Sequence, residues 1–329
     1  MKRSHEYSQT SIHGSSPATR GPEPIKNNKG NMLSSRRTRA ALSAVLAAAL
    51  YAINSPLSKL MLEKIPAAMM AALLYLGAGT GLFAAGVVQK KMGKGQKELP
   101  LTKKELPYTA GMVILDIAAP IFLMLGLTKT TAANASLLNN FEIVTTSMIA
   151  LWVFKETISK RLWAAIGLIT LASILLSIED AGSLSFSLGS LFVILACVCW
   201  GLENNCTRML SSKNPLQIVV IKGLGSGSGS LIIALAAGET VSHAAYLFLA
   251  LILGFVTYGL SIFFYIYAQR DLGAAKTSAY YGVAPFIGTA LSLAVFRELP
   301  SAFFMIALLV MIAGTYFASA DNKEEESSR

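Results

Sequence analysis

The stretch Thr131–Glu156, TAANASLLNNFEIVTTSMIALWVFKE, decides the fold, because a diverged copy of it returns 142 residues later. Phe154-Lys155-Glu156 aligns with Phe296-Arg297-Glu298 at that offset, Ser136 with Ser278, and Asn139-Asn140 with Tyr281-Gly282. An apolar run long enough to cross a bilayer precedes each triplet. Glu142 breaks the first run midway, where the second has Ala284 and Pro285. A carboxylate at the middle of a membrane helix costs about 2.5–3.5 kcal/mol, so it needs a partner, a proton or water.

Composition agrees with a membrane setting. Hydrophobic residues make up 53% of the 329 and charged residues 14%, against about 25% charged in soluble domains. The net charge of +10 does not point to nucleic acid, since the apolar spans leave no soluble reader domain. Eight of the 28 basic residues lie in the first 39 positions and six more between Lys90 and Lys104, the pattern of cytoplasmic loops beside membrane spans. Cys197, Cys199 and Cys206 share one apolar segment without a Cys-x-x-Cys spacing and read as packing residues. His5, His13 and His243 all lie outside the spans, which argues against a histidine-based metal site. No cofactor motif stands out either.

Ten apolar stretches approach the roughly 20 residues that cross about 30 Å of hydrocarbon: 40–60, 66–88, 107–127, 131–153, 161–178, 188–208, 215–237, 246–268, 274–296 and 301–319. With the N-terminus inside, inner loops carry twelve Lys and Arg residues and outer loops four, so both termini are expected in the cytoplasm of a multi-pass cell-membrane protein. Residues 1–39, rich in Ser, Gly, Pro, Asn and Lys, read as a disordered cytoplasmic tail, and 320–329 as a second tail.

The repeat extends beyond the opening stretch. Tyr51-Ala52-Ile53-Asn54 matches Trp200-Gly201-Leu202-Glu203 at an offset of 149, and Gly77, Gly79 and Gly81 return as Gly225, Gly227 and Gly229 at 148. The chain therefore reads as an all-α integral membrane protein of ten transmembrane helices, built from two five-helix repeats, 40–178 and 188–319. Five is odd, so the second repeat enters the membrane inverted. Inverted repeats recur in secondary transporters, which place their substrate near the midplane.

Each half opens on a Trp/Tyr-Gly/Ala segment and closes its fourth helix on an aromatic-basic-Glu triplet. On those features, residues 40–319 resemble the drug/metabolite transporter superfamily, its EamA-type members in particular. The resemblance implies ten helices, a central cavity and alternating access for small metabolites, and leaves the substrate open. Many members carry an Arg in the second or seventh helix. Here the seventh has Lys222, and the second has only Leu73, Leu74 and Tyr75 nearby.

Asp116, Glu142, Glu203 and Lys222 are the ionisable residues well inside the predicted spans. Four isolated charges would cost on the order of 12 kcal/mol, comparable to the whole stability of a domain. They must line water, pair, or be neutral. Depth at 1.5 Å per residue places Asp116 and Glu142 near the midplane and Glu203 beside Lys222 on adjacent spans. An ion pair Glu203–Lys222 is thus open, and would leave the midplane acids without a cation. Protonating a glutamate at pH 7 costs about 3.7 kcal/mol from its reference pKa, close to the cost of leaving it charged. Glu142 is therefore a candidate proton carrier, or else a structural acid held by Asn or Tyr neighbours. Asp116 has the same two roles open, with Pro120 offering it freed backbone.

Further lining candidates are Asn54, Asn139, Asn140, Tyr258, Tyr280 and Tyr281, each of which can instead serve interhelical hydrogen bonding. Asn54 holds the place of Glu203 in the other half, and Tyr258 that of Asp116. Pro56 and Pro285 are expected to kink their helices, and the glycines to permit close helix packing. Expected partners are the lipid bilayer, a small-molecule substrate and protons, with a homodimer left open. Three acids against one base favour a cationic or zwitterionic solute such as an amino acid or amine. A membrane-embedded enzyme would need a nucleophile–base set that the spans do not offer. A passive channel or receptor is the other alternative.

Overall fold

The computed structural model describes residues 28–92, 99–155, 158–180, 185–210, 212–241, 243–272, 277 and 280–327. Glu156 and Ser278 of the repeat signature, Lys94 and Lys97 of the basic loop, and the first 27 residues lie outside the described residues.

The first apolar stretch is two helices, α1 (Asn28–Ala52) and α2 (Asn54–Met61), interrupted at Ile53. Pro56 lacks the N–H that would bond Ala52 O one turn earlier, so the ladder opens there. Next come α3 (Ala67–Lys91), α4 (Leu106–Lys129), α5 (Ala132–Leu138), α6 (Phe141–Phe154) and α7 (Lys160–Ser177). A short antiparallel ribbon, β1 (Ile178–Asp180) with β2 (Ser185–Phe186), marks the joint between the halves. The second half runs α8 (Leu188–Leu210), α9 (Pro215–Ala236), α10 (Ala244–Gly254), a π turn over Phe255–Leu260, α11 (Ser261–Leu272), α12 (Ala284–Phe296) and α13 (Ala302–Ser327).

Seven helices among the described residues are long and apolar enough to cross a membrane: α1–α2 from Thr38, α3, α4 with its leading turn, α7, α8, α9, and α10 to Ala268. Two shorter apolar helices span Ala284–Phe296 and Ala302–Ala318. The opening stretch falls short of a continuous span because its helix breaks at Asn139-Asn140, leaving α5 and α6 as half-helices. Both expected irregular tails need correction at their membrane-proximal ends. Helix α1 starts at Asn28 and α13 continues to Ser327, since adding turns to an already nucleated helix avoids the cost of nucleation.

Packing follows a two-fold exchange of the halves. Helix α4 lies along α8 as α11 lies along α1; α6 meets α8 as α12 meets α1; α3 crosses α9, and α7 pairs with α13. Glycines set the central crossing. A Cβ at Gly79 would stand 2.5 Å from Leu224 N, and its repeat equivalent at Gly227 2.7 Å from Leu76 N. Loops strap the two ends in the same related way. Glu239 after α9 accepts from Met69 N at 2.6 Å at the start of α3, and Gln217 at the start of α9 accepts from Leu101 N at 2.9 Å after α3.

The repeated triplet gains a physical meaning. Lys155 and Arg297 both close their helices in the left-handed conformation, each at φ 53°, and are the non-glycine residues with positive φ among those described. The basic residue, rather than the glutamate after it, thus terminates each helix, with its backbone placed where glycine usually sits.

Candidate functional site

The charged centre is assembled from α4, α8 and α9. Lys222 Nζ lies 3.1 Å from Asp116 Oδ2 and 3.0 Å from Glu203 Oε1. Tyr75 on α3 donates to Asp116 Oδ1 at 2.9 Å, and Thr207 donates to Glu203 one turn along α8. The expected Glu203–Lys222 contact is present, but Asp116 also joins it. Of the two midplane acids, Glu142 is then the one with no ion pair among the described residues. Asp116 is 0% exposed and Glu203 2%, so this triad is sealed. Two buried carboxylates face one ammonium, and the hydroxyls of Tyr75 and Thr207 add a hydrogen bond to each acid.

The two-fold-related place repeats the arrangement with neutral groups. Asn54 Nδ2 donates to Tyr258 OH at 3.3 Å, and Ser58 donates to Asn54 Oδ1 at 3.1 Å. The residues equivalent to Glu203 and Asp116 meet directly, since no lysine intervenes on α3. Tyr258 sits in the π turn, a helix irregularity found often at functional sites.

Glu142 occupies different surroundings. It falls in the first turn of α6, where the half-helix N-terminus favours a carboxylate. Asn204 Nδ2 donates to its Oε1 and also to Thr146 Oγ1 at 3.3 Å. The residue is half-buried, where those of the triad are buried. Aromatic rings extend across the centre: Tyr51 packs 5.9 Å from both Tyr258 and Tyr281, Tyr75 4.9 Å from Tyr258, and Tyr265 5.0 Å from Tyr281. Hydroxyl-bearing rings beside an acid provide both a π-face and hydrogen bonds for an organic cation.

The remaining candidates divide. Asn140 is engaged structurally, donating to Leu137 O at 3.2 Å and accepting from Thr315 Oγ1 at 3.5 Å. Asn139 is buried with its Oδ1 unpartnered. Tyr281 shares a 3.5 Å hydroxyl contact with Ser261. Tyr280 is 42% exposed. Sequence reasoning missed Asn204, Tyr51, Tyr75 and Tyr265. A usable signal existed for the break at least, because Asn-Asn followed by Phe-Glu is a helix-start pattern in mid-run.

A cavity of about 730 Å³ opens at the far end from Lys103 and Lys213, lined among others by Lys59, Lys129, Asn134, Glu298 and Phe304. Lys59 Nζ donates there to Thr130 O at 2.9 Å and to Leu127 O, closing the end of α4. Among the described residues no group of three or more His, Cys, Asp and Glu side chains is placed to hold a metal ion.

Comparison with known proteins extends this picture. Residues 38–178 and 187–320 each match the model described as the EamA-like transporter family. An uncharacterized transporter of Methanothermobacter thermautotrophicus is 27% identical over 299 residues, covering 85% of this chain and 86% of that protein. The uncharacterized transporter YyaM of Bacillus subtilis is 23% identical over 239 residues, 69% of this chain and 77% of its own length. A solved crystal structure with 17% identity and a TM-score of 0.64 covers 88% of this chain and 99% of its own, a likeness of fold.

Proposed function

The chain belongs to the EamA-like transporter family, a family of membrane transporters, and on that premise we propose that it is a secondary active transporter. Its substrate is a small organic cation or zwitterion, such as an amino acid or amine, moved across the cell membrane by alternating access. Ten crossings, with both termini cytoplasmic, place the two repeats upside down to one another. The triad then lies in the inner half of the bundle and the large cavity on its outer side.

The observation that carries the reading is the contrast between Glu142 and the triad. Asp116 and Glu203 are buried and held by Lys222, whereas Glu142 has no ion pair among the described residues, is half-buried, and lies near Tyr51, Tyr258 and Tyr281. An acid so placed binds a proton when the site is vacant and releases it to water when a cationic substrate binds, which couples the two fluxes. A thermal-shift screen of amino acids and amines on the purified protein supplies the substrate for the test. In proteoliposomes, the native protein is expected to give saturable counterflow that a pH gradient drives uphill. Glu142→Gln is expected to keep counterflow and lose the drive. A variant still driven by the pH gradient would remove Glu142 from the coupling.

A further inference from the structure

A second, smaller cavity lies between the helix breaks, and its chemistry is unlike that of the acid cluster. It measures about 10 Å³, room for a single water-sized occupant, and is lined by Tyr51, Ala52, Ser55, Ser136, Asn139 and Gly288 among others. Ser136 Oγ and Asn139 Oδ1 have no hydrogen-bond partner among the described residues, although the residues are 2% and 6% exposed. Buried oxygens of that kind are rare without an occupant to bind them.

The cavity gathers oxygens from several elements. Helix α1 ends at Ala52, whose carbonyl lacks its usual helical donor because Pro56 stands one turn on. Helix α5 ends at Leu138, so Asn139 caps a second C-terminus at the same place. Both breaks bring backbone carbonyls to the cavity wall. Helix α12 begins there too, but its first turn offers little: Pro285 has no N–H, and Phe286 N and Ile287 N both donate to Val283 O at 3.1 Å. The point where a Gly288 Cβ would stand is 3.0 Å from Ser136 Oγ and 3.1 Å from Ala52 O, so these two oxygens converge from neighbouring elements. No carboxylate is among the described residues that line the cavity.

We propose that this cavity is a binding site for a small monovalent cation of the size of Na⁺, held by Ser136 Oγ, Asn139 Oδ1 and the Ala52 carbonyl, with Ser55 beside them. Hard neutral oxygens suit an alkali cation, and the lack of a carboxylate leaves a divalent ion uncompensated. Unwound backbone and half-helix C-termini are the means by which membrane carriers hold such ions. Bound there, the ion would tie the α1–α2 break to the α5–α6 break and to α12, linking the two halves at one point.

The test uses the purified full chain and needs no transport, so it is independent of the role given to Glu142. Thermal unfolding is followed while NaCl replaces choline chloride at constant ionic strength, with KCl as a parallel series. A ligand that binds only the folded state raises the midpoint saturably; that rise is expected for Na⁺ and to be much weaker for K⁺. Ser136→Ala removes an oxygen that has no protein partner, so it is expected to leave stability in choline unchanged and to raise the half-saturating Na⁺ concentration about tenfold, the worth of one lost ligand at roughly 1.4 kcal/mol per decade. Gly288→Ala places a methyl group in the cavity and is expected to abolish the Na⁺ response. Equal midpoints in Na⁺, K⁺ and choline would mean that the cavity holds water, and would overturn the proposal. So would an unaltered Na⁺ response in Ser136→Ala.

Discussion

Lys222 lies within 3.1 Å of two carboxylates, and the three side chains have almost no access to water. Removing one member of such a cluster leaves uncompensated charge, which costs about 3–5 kcal/mol when a buried pair is broken. Lys222→Met is therefore expected to lower the thermal midpoint strongly. The triple variant Lys222→Met, Asp116→Asn, Glu203→Gln carries no charge and is expected to recover most of the loss. If the single and triple variants unfold alike, the triad is not electrostatically closed. Part of this cluster was legible in the sequence. Depth along the helices put Glu203 beside Lys222, but it grouped Asp116 with Glu142. Depth fixes how far a residue lies along its helix and says nothing of which way it faces. Rotation about α4 turns Asp116 toward α9, and only packing determines that rotation.

At the scale of elements, two devices decide whether the bundle closes. The first is the glycine crossing of α3 and α9, where a Cβ on Gly223 would meet Gly79 N at 2.4 Å. Backbone cannot yield as a flexible side chain does, so Gly223→Ala is expected to cost about 1–3 kcal/mol. Gly167 on α7 is exposed with nothing within 4 Å of its Cβ position. Gly167→Ala should instead gain up to about 1 kcal/mol from helix propensity. Melting both variants in detergent checks the contrast; equal losses would mean that the close approach is not what makes glycine necessary at the crossing. The second device is the left-handed cap. At Arg297 a β-branched side chain is expected to be less stable than glycine by about 1–2 kcal/mol, read as the difference between Arg297→Val and Arg297→Gly. The spacing of the triplets was plain in the sequence, and so was the role of the glycines. Their backbone conformation was not, because neither Lys nor Arg signals positive φ. The helix break was signalled by Asn139-Asn140 ahead of Phe141-Glu142, but the length of the apolar run fits one continuous span and masked it.

For the whole molecule, two-fold exchange of the halves explains both the pairing of the helices and the pairing of site residues. Asn54 meets Tyr258 where Glu203 and Asp116 meet through Lys222. The equivalence was readable because a repeat preserves position even where chemistry has diverged. What stands at each equivalent place sets the local chemistry, and there the two related assemblies differ: charges meet at one, neutral Asn54 and Tyr258 at the other. If the repeats are inverted, the strap at Leu101–Gln217 and the strap at Met69–Glu239 face opposite compartments. Single cysteines at Thr102 and at Glu239, in a background with Cys197, Cys199 and Cys206 replaced, are expected to label from opposite sides of sealed vesicles. Labelling from the same side would show parallel halves and remove the carrier geometry.

The central claim is that Glu142, and not the triad, exchanges its proton for substrate. Its most direct test is proton release on binding, followed with a pH indicator in weakly buffered detergent solution after adding a cationic or zwitterionic ligand found by thermal shift. The native protein is expected to release a proton as the ligand saturates, Asp116→Asn to do the same, and Glu142→Gln to bind without release. Undiminished release from Glu142→Gln, or its loss in Asp116→Asn alone, would contradict the mechanism.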